Sequence, residues 1–165
     1  MSTAMEKEHS AAARELALKY LARKDKTQSE IRSYLMSKNQ PNDAIDDVLS
    51  ALSEAGIVDD RKFCENYISE CIRKRKGRRL IRAELSAKGI DRELAGEMLG
   101  TLLSQDVERE NAYAEALKLT RSGEGSADPE RVMRRLAYLG YDADIIYGLI
   151  EQLRRDTAEY REKHE

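Results

Sequence analysis

Apolar residues return every three or four positions along most of this chain, and short polar breaks interrupt them at regular intervals. That period puts the apolar side chains on one stripe of an α-helix. Ala13, Leu16, Tyr20 and Leu21 make the first stripe. Thr27-Gln-Ser-Glu30 then has the form of a capping box, opening a second helix with Ile31, Tyr34 and Leu35 inward. Pro41 breaks the chain, Asn42 is a candidate cap, and Ile45, Val48, Leu49 and Leu52 carry a third helix that Gly56 ends. Asp59-Asp60 suits a helix start, because a carboxylate accepts the free first-turn N–H groups and favours the positive end of the helix dipole. Phe63, Tyr67, Ile68 and Cys71 give that helix its stripe; its end is expected near Lys76, with Gly77 permitting the turn. Ile81 and Leu85 face inward on the next helix, Gly89 supplies a left-handed cap, and Asp91 caps a helix carrying Leu94, Met98, Leu99 and Leu102. Further on, Tyr113, Ala116 and Leu117 precede SGEGSA (122–127), expected to be the most flexible loop. Asp128-Pro129 restarts a helix with Val132, Met133, Leu136 and Leu139; Gly140 stops it, and Asp142 opens the last, with Ile145, Ile146, Leu149, Ile150 and Leu153.

The pattern repeats. Sliding residues 27–52 by 50 positions aligns Ile31 with Ile81, Arg32 with Arg82, Leu35 with Leu85, Lys38 with Lys88, Leu49 with Leu99 and Leu52 with Leu102. A further shift of 51 brings Leu85 onto Leu136, Gly89 onto Gly140, Asp91 onto Asp142 and Leu102 onto Leu153. The coincidences fall on stripes and breaks, so the chain is expected to be all-α: three tandem three-helix repeats forming an elongated, curved body. The expected boundaries are 13–58, 59–105 and 106–155, with 1–12 and 156–165 as flexible, fraying termini.

Composition supports amphipathic helices over one large aromatic core: charged residues are 36%, and there is one Phe and no Trp. No window approaches a membrane span and the N-terminus lacks an apolar leader, so a cytoplasmic protein without membrane contact is expected. Cys64 and Cys71 stand two helical turns apart, too far to pair with each other, and read as small buried hydrophobes. With His only near the ends, no metal or other cofactor is expected. No nucleophile–base motif or glycine-rich phosphate loop occurs, and Asp59-Asp60 is explained by capping, so no catalytic residues are expected.

Charge does change the picture. The net charge of −2 conceals +5 over residues 61–105 and −4 over 106–165. RKRKGRRLIR places Arg73, Lys74, Arg75, Lys76, Arg78, Arg79 and Arg82 within ten residues, and Lys88 follows. Crowded cations repel one another, and an anionic partner relieves that repulsion. Three readings stand: contact with phosphate, contact with an acidic protein surface, or a solvated helix end whose cations complement the dipole. Arg131, Arg134 and Arg135 are a solvated face that could extend a basic strip. The tyrosines, candidates for stacking on single-stranded bases, mostly fall on or beside the apolar stripes, which favours packing.

GIVDDRKF (56–63) followed by RKGRRLIRAELSAKGI (75–90) resembles the central signature of RecX, the family of regulators of the bacterial recombinase RecA. ALKYLARKDKTQSEIRSYLMSK (17–38) and RRLAYLGYDADII (134–146) are similar to its flanking repeats in order and spacing, so the resemblance covers about 13–153. It implies tandem three-helix repeats lying in the groove of the RecA–DNA filament and bridging neighbouring RecA subunits. The implied action is non-enzymatic: inhibition of RecA's ATPase, strand-exchange and co-protease activities, hence a place in DNA recombination, repair and the SOS response. A monomer is expected, with RecA as partner and single- or double-stranded DNA as an added contact. Arg73, Lys74, Arg75, Lys76, Arg78, Arg79, Arg82 and Lys88 would then meet acidic RecA surface or DNA, with Arg131, Arg134 and Arg135 secondary. The alternative is a stand-alone DNA-binding helical module acting through the same patch. One departure is that family members often carry Pro after the glycine of the central turn, where Arg78 stands here.

Overall fold

A computed structural model describes residues 4–121 and 128–164. These form nine helices: α1 (Ala4–Leu21), α2 (Gln28–Ser37), α3 (Asn42–Glu54), α4 (Asp60–Arg73), α5 (Arg78–Ala87), α6 (Arg92–Leu102), α7 (Gln105–Arg121), α8 (Pro129–Tyr138) and α9 (Ala143–His164). The chain is all-α, and its helices fall in threes with the period read from the stripes. At equivalent places in successive triplets Ile31, Ile81 and Val132 are buried, as are Leu35, Leu85 and Leu136. The expected loop at 122–127 lies outside the described residues.

Helix ends follow one local rule. In a Schellman ending the residue after the cap takes a left-handed conformation and two backbone N–H groups turn back to otherwise free carbonyls. Asn39 (φ 56°), Gly89 (φ 73°) and Gly140 (φ 85°) do this after α2, α5 and α8, at equivalent repeat positions. Their partners repeat too: the N–H groups of Gln40, Ile90 and Tyr141 reach Leu35, Leu85 and Leu136. Gly56 does the same after α3. Starts match expectation at Thr27, whose capping box with Glu30 is complete, and at Asp59, Asp91 and Asp128, whose carboxylates accept first-turn N–H groups. Asn42 does not cap: it is already the first residue of α3, and Pro41 occupies the cap position without a side-chain bond.

Two compact units result: Met1–Asn66 with Leu85–Ala95, and Tyr67–Glu84 with Gly96–Glu165. In the first, α1, α2 and α3 pack pairwise around Ala13, Ala17, Ile31, Leu35, Ile45 and Leu52. Ala13 and Ala17 let α1 approach closely, and Tyr20 and Tyr34 stack at 4.1 Å. Thr27 also donates its hydroxyl to the Lys88 carbonyl at the end of α5, and Asp60 accepts the Gln28 N–H, so the start of α2 is tied twice. In the second unit, α7, α8 and α9 enclose Ala112, Ala116, Val132, Leu136 and Tyr141.

Two expectations need amending. Segments 4–12 and 156–164, read as frayed, are helical. Their Glu-, Lys- and Ala-rich sequences prolong helices already nucleated by packing, which costs far less than starting one. Helix α4 stops at Arg73, short of Lys76, because Arg75 turns left-handed (φ 55°).

Candidate interaction surface

The run 73–82 spans the end of α4, a turn, and the start of α5. Its turn is another Schellman ending, with the Arg75 and Lys76 N–H groups donating to the carbonyls of Ile72 and Cys71. The left-handed position is filled by Arg75, not by the glycine that follows. Gly77 serves close approach instead. Its N–H donates to Leu139 O at 2.7 Å and the Arg79 N–H to Gly140 O at 3.0 Å, so two backbones meet directly at the corner between α8 and α9. A Cβ on Gly77 would stand 2.5 Å from the Gly140 carbonyl, and one on Gly140 would stand 2.3 Å from Leu80 N. Tyr141, fully buried, seals the corner by donating its hydroxyl to Arg75 O.

This folding divides the eight cations of the central set. Arg78 is turned inward: its Nε lies 3.3 Å from Glu108, which is 2% exposed, and its guanidinium also donates to Leu103 O. The same carboxylate accepts the Arg78 N–H at 2.8 Å and thus caps α5. The departure at position 78 has a use here, since proline would lack that N–H. Arg75 lies 3.4 Å from buried Glu115, which also receives Lys118 and, at 3.8 Å, Arg135. Lys76 binds Glu84 at 2.6 Å, and Lys88 binds Glu30 at 3.3 Å. Lys74 makes a surface pair with Glu70, one turn back on α4. Arg79 is exposed, with Asp142 at 4.0 Å. Arg73 and Arg82 are exposed, and so are Arg131 and Arg134 of the secondary set.

Electrostatics follow these contacts. Burial raises the Glu84 carboxyl, but the Lys76 and Tyr67 hydrogen bonds outweigh it and hold it below its ordinary 4.5. Burial likewise works against charged Glu115, and Lys118, Arg75 and Arg135 together bring it below 4.5. Burial pushes the Cys71 thiol up to about 11 against the pull of Lys76. Cys64 is pushed up to about 11 by burial and then by Asp60. Both cysteines are free, buried and protonated at neutral pH, hence poor nucleophiles.

The counter-ions Glu84, Glu108 and Glu115 escaped the sequence reading. A signal existed for two of them: Glu108, Ala112 and Glu115 recur at four and three residues, so these carboxylates sit on the buried stripe of α7. Among the tyrosines, Tyr20, Tyr34, Tyr67 and Tyr113 are partly buried and Tyr141 wholly so, whereas Tyr138 and Tyr147 are exposed. Among the described residues no group of three or more His, Cys, Asp or Glu is arranged to hold a metal, and no helix is long and apolar enough to cross a membrane.

Comparison with known proteins accounts for this architecture. Residues 13–52 match the family model of the first three-helix domain of RecX, and residues 59–99 that of the second. The regulatory protein RecX of Mycobacterium ulcerans (strain Agy99) is 36% identical over 127 residues, covering 75% of this chain and 72% of that protein. The regulatory protein RecX of Mycolicibacterium vanbaalenii is 33% identical over 150 residues, covering 84% and 80%. A crystal structure of RecX from Lactobacillus salivarius superimposes with a TM-score of 0.79 at 25% identity, over 89% of this chain and 97% of that one. Sequence, domain order and fold agree, and the chain belongs to the RecX family of regulatory proteins.

Proposed function

We propose that this protein binds the filament that the bacterial recombinase RecA forms on DNA, and lowers RecA's ATPase, strand-exchange and co-protease activities by bridging neighbouring subunits. It acts as a cytoplasmic, non-enzymatic monomer in DNA recombination, repair and the SOS response. Family membership as a regulatory protein supports the reading. The observation that carries it to residues is the division of the basic run. Arg75, Lys76, Arg78 and Lys88 are neutralised within the fold, whereas Arg73, Lys74, Arg79 and Arg82 remain exposed on α4, its turn and α5. The exposed four meet acidic RecA surface or phosphate; the four held by buried or part-buried carboxylates fix the platform. A ligand shifts an equilibrium only through its difference in affinity for two states, so the protein must prefer one filament geometry.

The test is RecA ATPase on single-stranded DNA with substoichiometric protein. Hydrolysis and filament length should both fall. Undiminished values rule the reading out. The second reading, a stand-alone DNA-binding module, is favoured only by those same exposed cations. It requires tight binding to bare DNA that weakens steeply with salt, because each neutralised phosphate releases counterions. Weak binding to bare DNA, with RecA inhibition intact, eliminates it.

A further inference from the structure

The corner where α8 turns into α9 carries an open groove of about 310 Å³. Its floor is aliphatic: Met133 and Ala137 from α8, Ala143 and Ile146 from α9. Tyr147, 60% exposed, stands along one edge. Arg79, Arg134 and the buried Tyr141 complete the lining, and among the described residues no carboxylate is part of it. The backbone contact of Gly77 and Arg79 with Leu139 and Gly140 explains how α5 delivers an arginine here. Each arginine also continues a row. Arg82 follows Arg79 and Arg131 precedes Arg134 by three residues, so each pair shares a helix face. Asp142, 4.0 Å from Arg79, is the nearby opposing charge; it is half-exposed, and so a weak competitor.

We propose that this groove docks a short acidic segment of a partner protein, with one bulky apolar side chain on the aliphatic floor and carboxylates on either side meeting Arg79 and Arg134. The volume is at the lower end of the roughly 300–1,000 Å³ typical of ligand sites, which fits a single anchoring side chain. Guanidinium groups bind carboxylates in a planar, bidentate fashion, giving selection by charge on top of apolar burial. Single-stranded nucleic acid fits less well. It is held by successive aromatic platforms along a basic track, and here one exposed ring borders a floor of alkyl groups. The proposal deepens the protein-partner reading above, and rests on it for the partner's identity.

The probe is a synthetic peptide with a central Phe flanked on both sides by Asp and Glu, titrated against the full chain with amide and methyl NMR shifts as readout. Saturable shifts are expected at Met133, Ala143 and Ile146. Replacing Phe by Ser, or the acids by Lys, should abolish them. Arg134→Glu and Tyr147→Ala, both exposed positions, should each weaken binding by about tenfold or more, as expected of charged and aromatic contacts in a docking site. Absence of saturable shifts, or equal shifts with the Lys-flanked peptide, overturns the proposal. So does an oligothymidylate that shifts these residues when the acidic peptide does not, which would make the groove a nucleic-acid site. RecA ATPase measured in parallel separates the two levels. Inhibition by the wild type and both variants alike, with no peptide shift, removes the groove and leaves the RecA reading. Peptide binding without inhibition by the wild type removes RecA as the partner and leaves the groove.

Discussion

Gly77 has no room for a methyl group. The three atoms nearest an added Cβ are all backbone, at 2.5 Å, and the α8–α9 corner has to move for alanine to fit. Gly77→Ala should therefore cost about 2–3 kcal/mol, the upper range for overpacking, read from the denaturant midpoint. Gly100→Ala is its control: nothing lies within 4 Å of a Cβ there, in α6, so the change should stabilise by about 0.5–1 kcal/mol. Equal effects at the two sites would mean that backbone freedom, not the contact with Gly140, governs position 77. The sequence marked Gly77 as a turn residue from its neighbours. Its real partner is 63 positions further along the chain, beyond the reach of local pattern. Gly89 and Gly140 were legible because a helix C-terminal cap is a local signal: Gly89 takes the left-handed conformation expected of it, and Gly140, read only as a stop, takes it too.

At the scale of elements, starts and stops were legible wherever the stabilising group lies within about a turn of the helix end, as at Thr27, Asp59, Asp91 and Asp128. They were not legible where the cap comes from another helix. The start of α5 is capped by Glu108, 30 residues later, and that carboxylate is 2% exposed against Arg78. Removing one partner of a buried pair strands the other's charge, so Glu108→Ala should cost about 3–5 kcal/mol. Glu108→Gln keeps an oxygen for the Arg78 N–H and should lose less; a loss as large as that of alanine would mean that the charge, not the cap, carries the effect. The neighbouring acids set a pH dependence. Glu84 and Glu115 are held below their ordinary 4.5 in the folded chain. Each therefore binds its proton less readily folded than unfolded. Their contribution is complete above about 4.5 and is lost as pH falls through the lowered folded values. Melting temperatures of the wild type and Glu84→Gln should thus differ at neutral pH and converge in acid. A gap that persists in acid would assign the loss to packing.

For the whole molecule, the sequence offered a single basic patch, and the fold turns it into two populations with different work. Interface and scaffold then make opposite demands on charge reversal. A triple change of Arg73, Arg79 and Arg82 to Glu touches exposed side chains, none closer than 4.0 Å to a carboxylate among the described residues. Surface charge changes of this kind usually shift stability by less than about 0.5 kcal/mol each, so the melting temperature should hardly move. If these residues meet an acidic surface or phosphate, inhibition of RecA ATPase should fall by about tenfold or more, since like charges at an interface cost several kcal/mol. Arg78→Glu must do the reverse. It sets two carboxylates together at the buried Glu108 site, so the melting temperature should fall sharply. Whatever material stays folded should still inhibit, because the exposed set is untouched. Two assays on two variants thus separate the readings left open by the run RKRKGRRLIR. A stable triple variant that inhibits as well as the wild type would make the exposed arginines a solvated helix end, and the binding surface would have to be sought elsewhere on the chain.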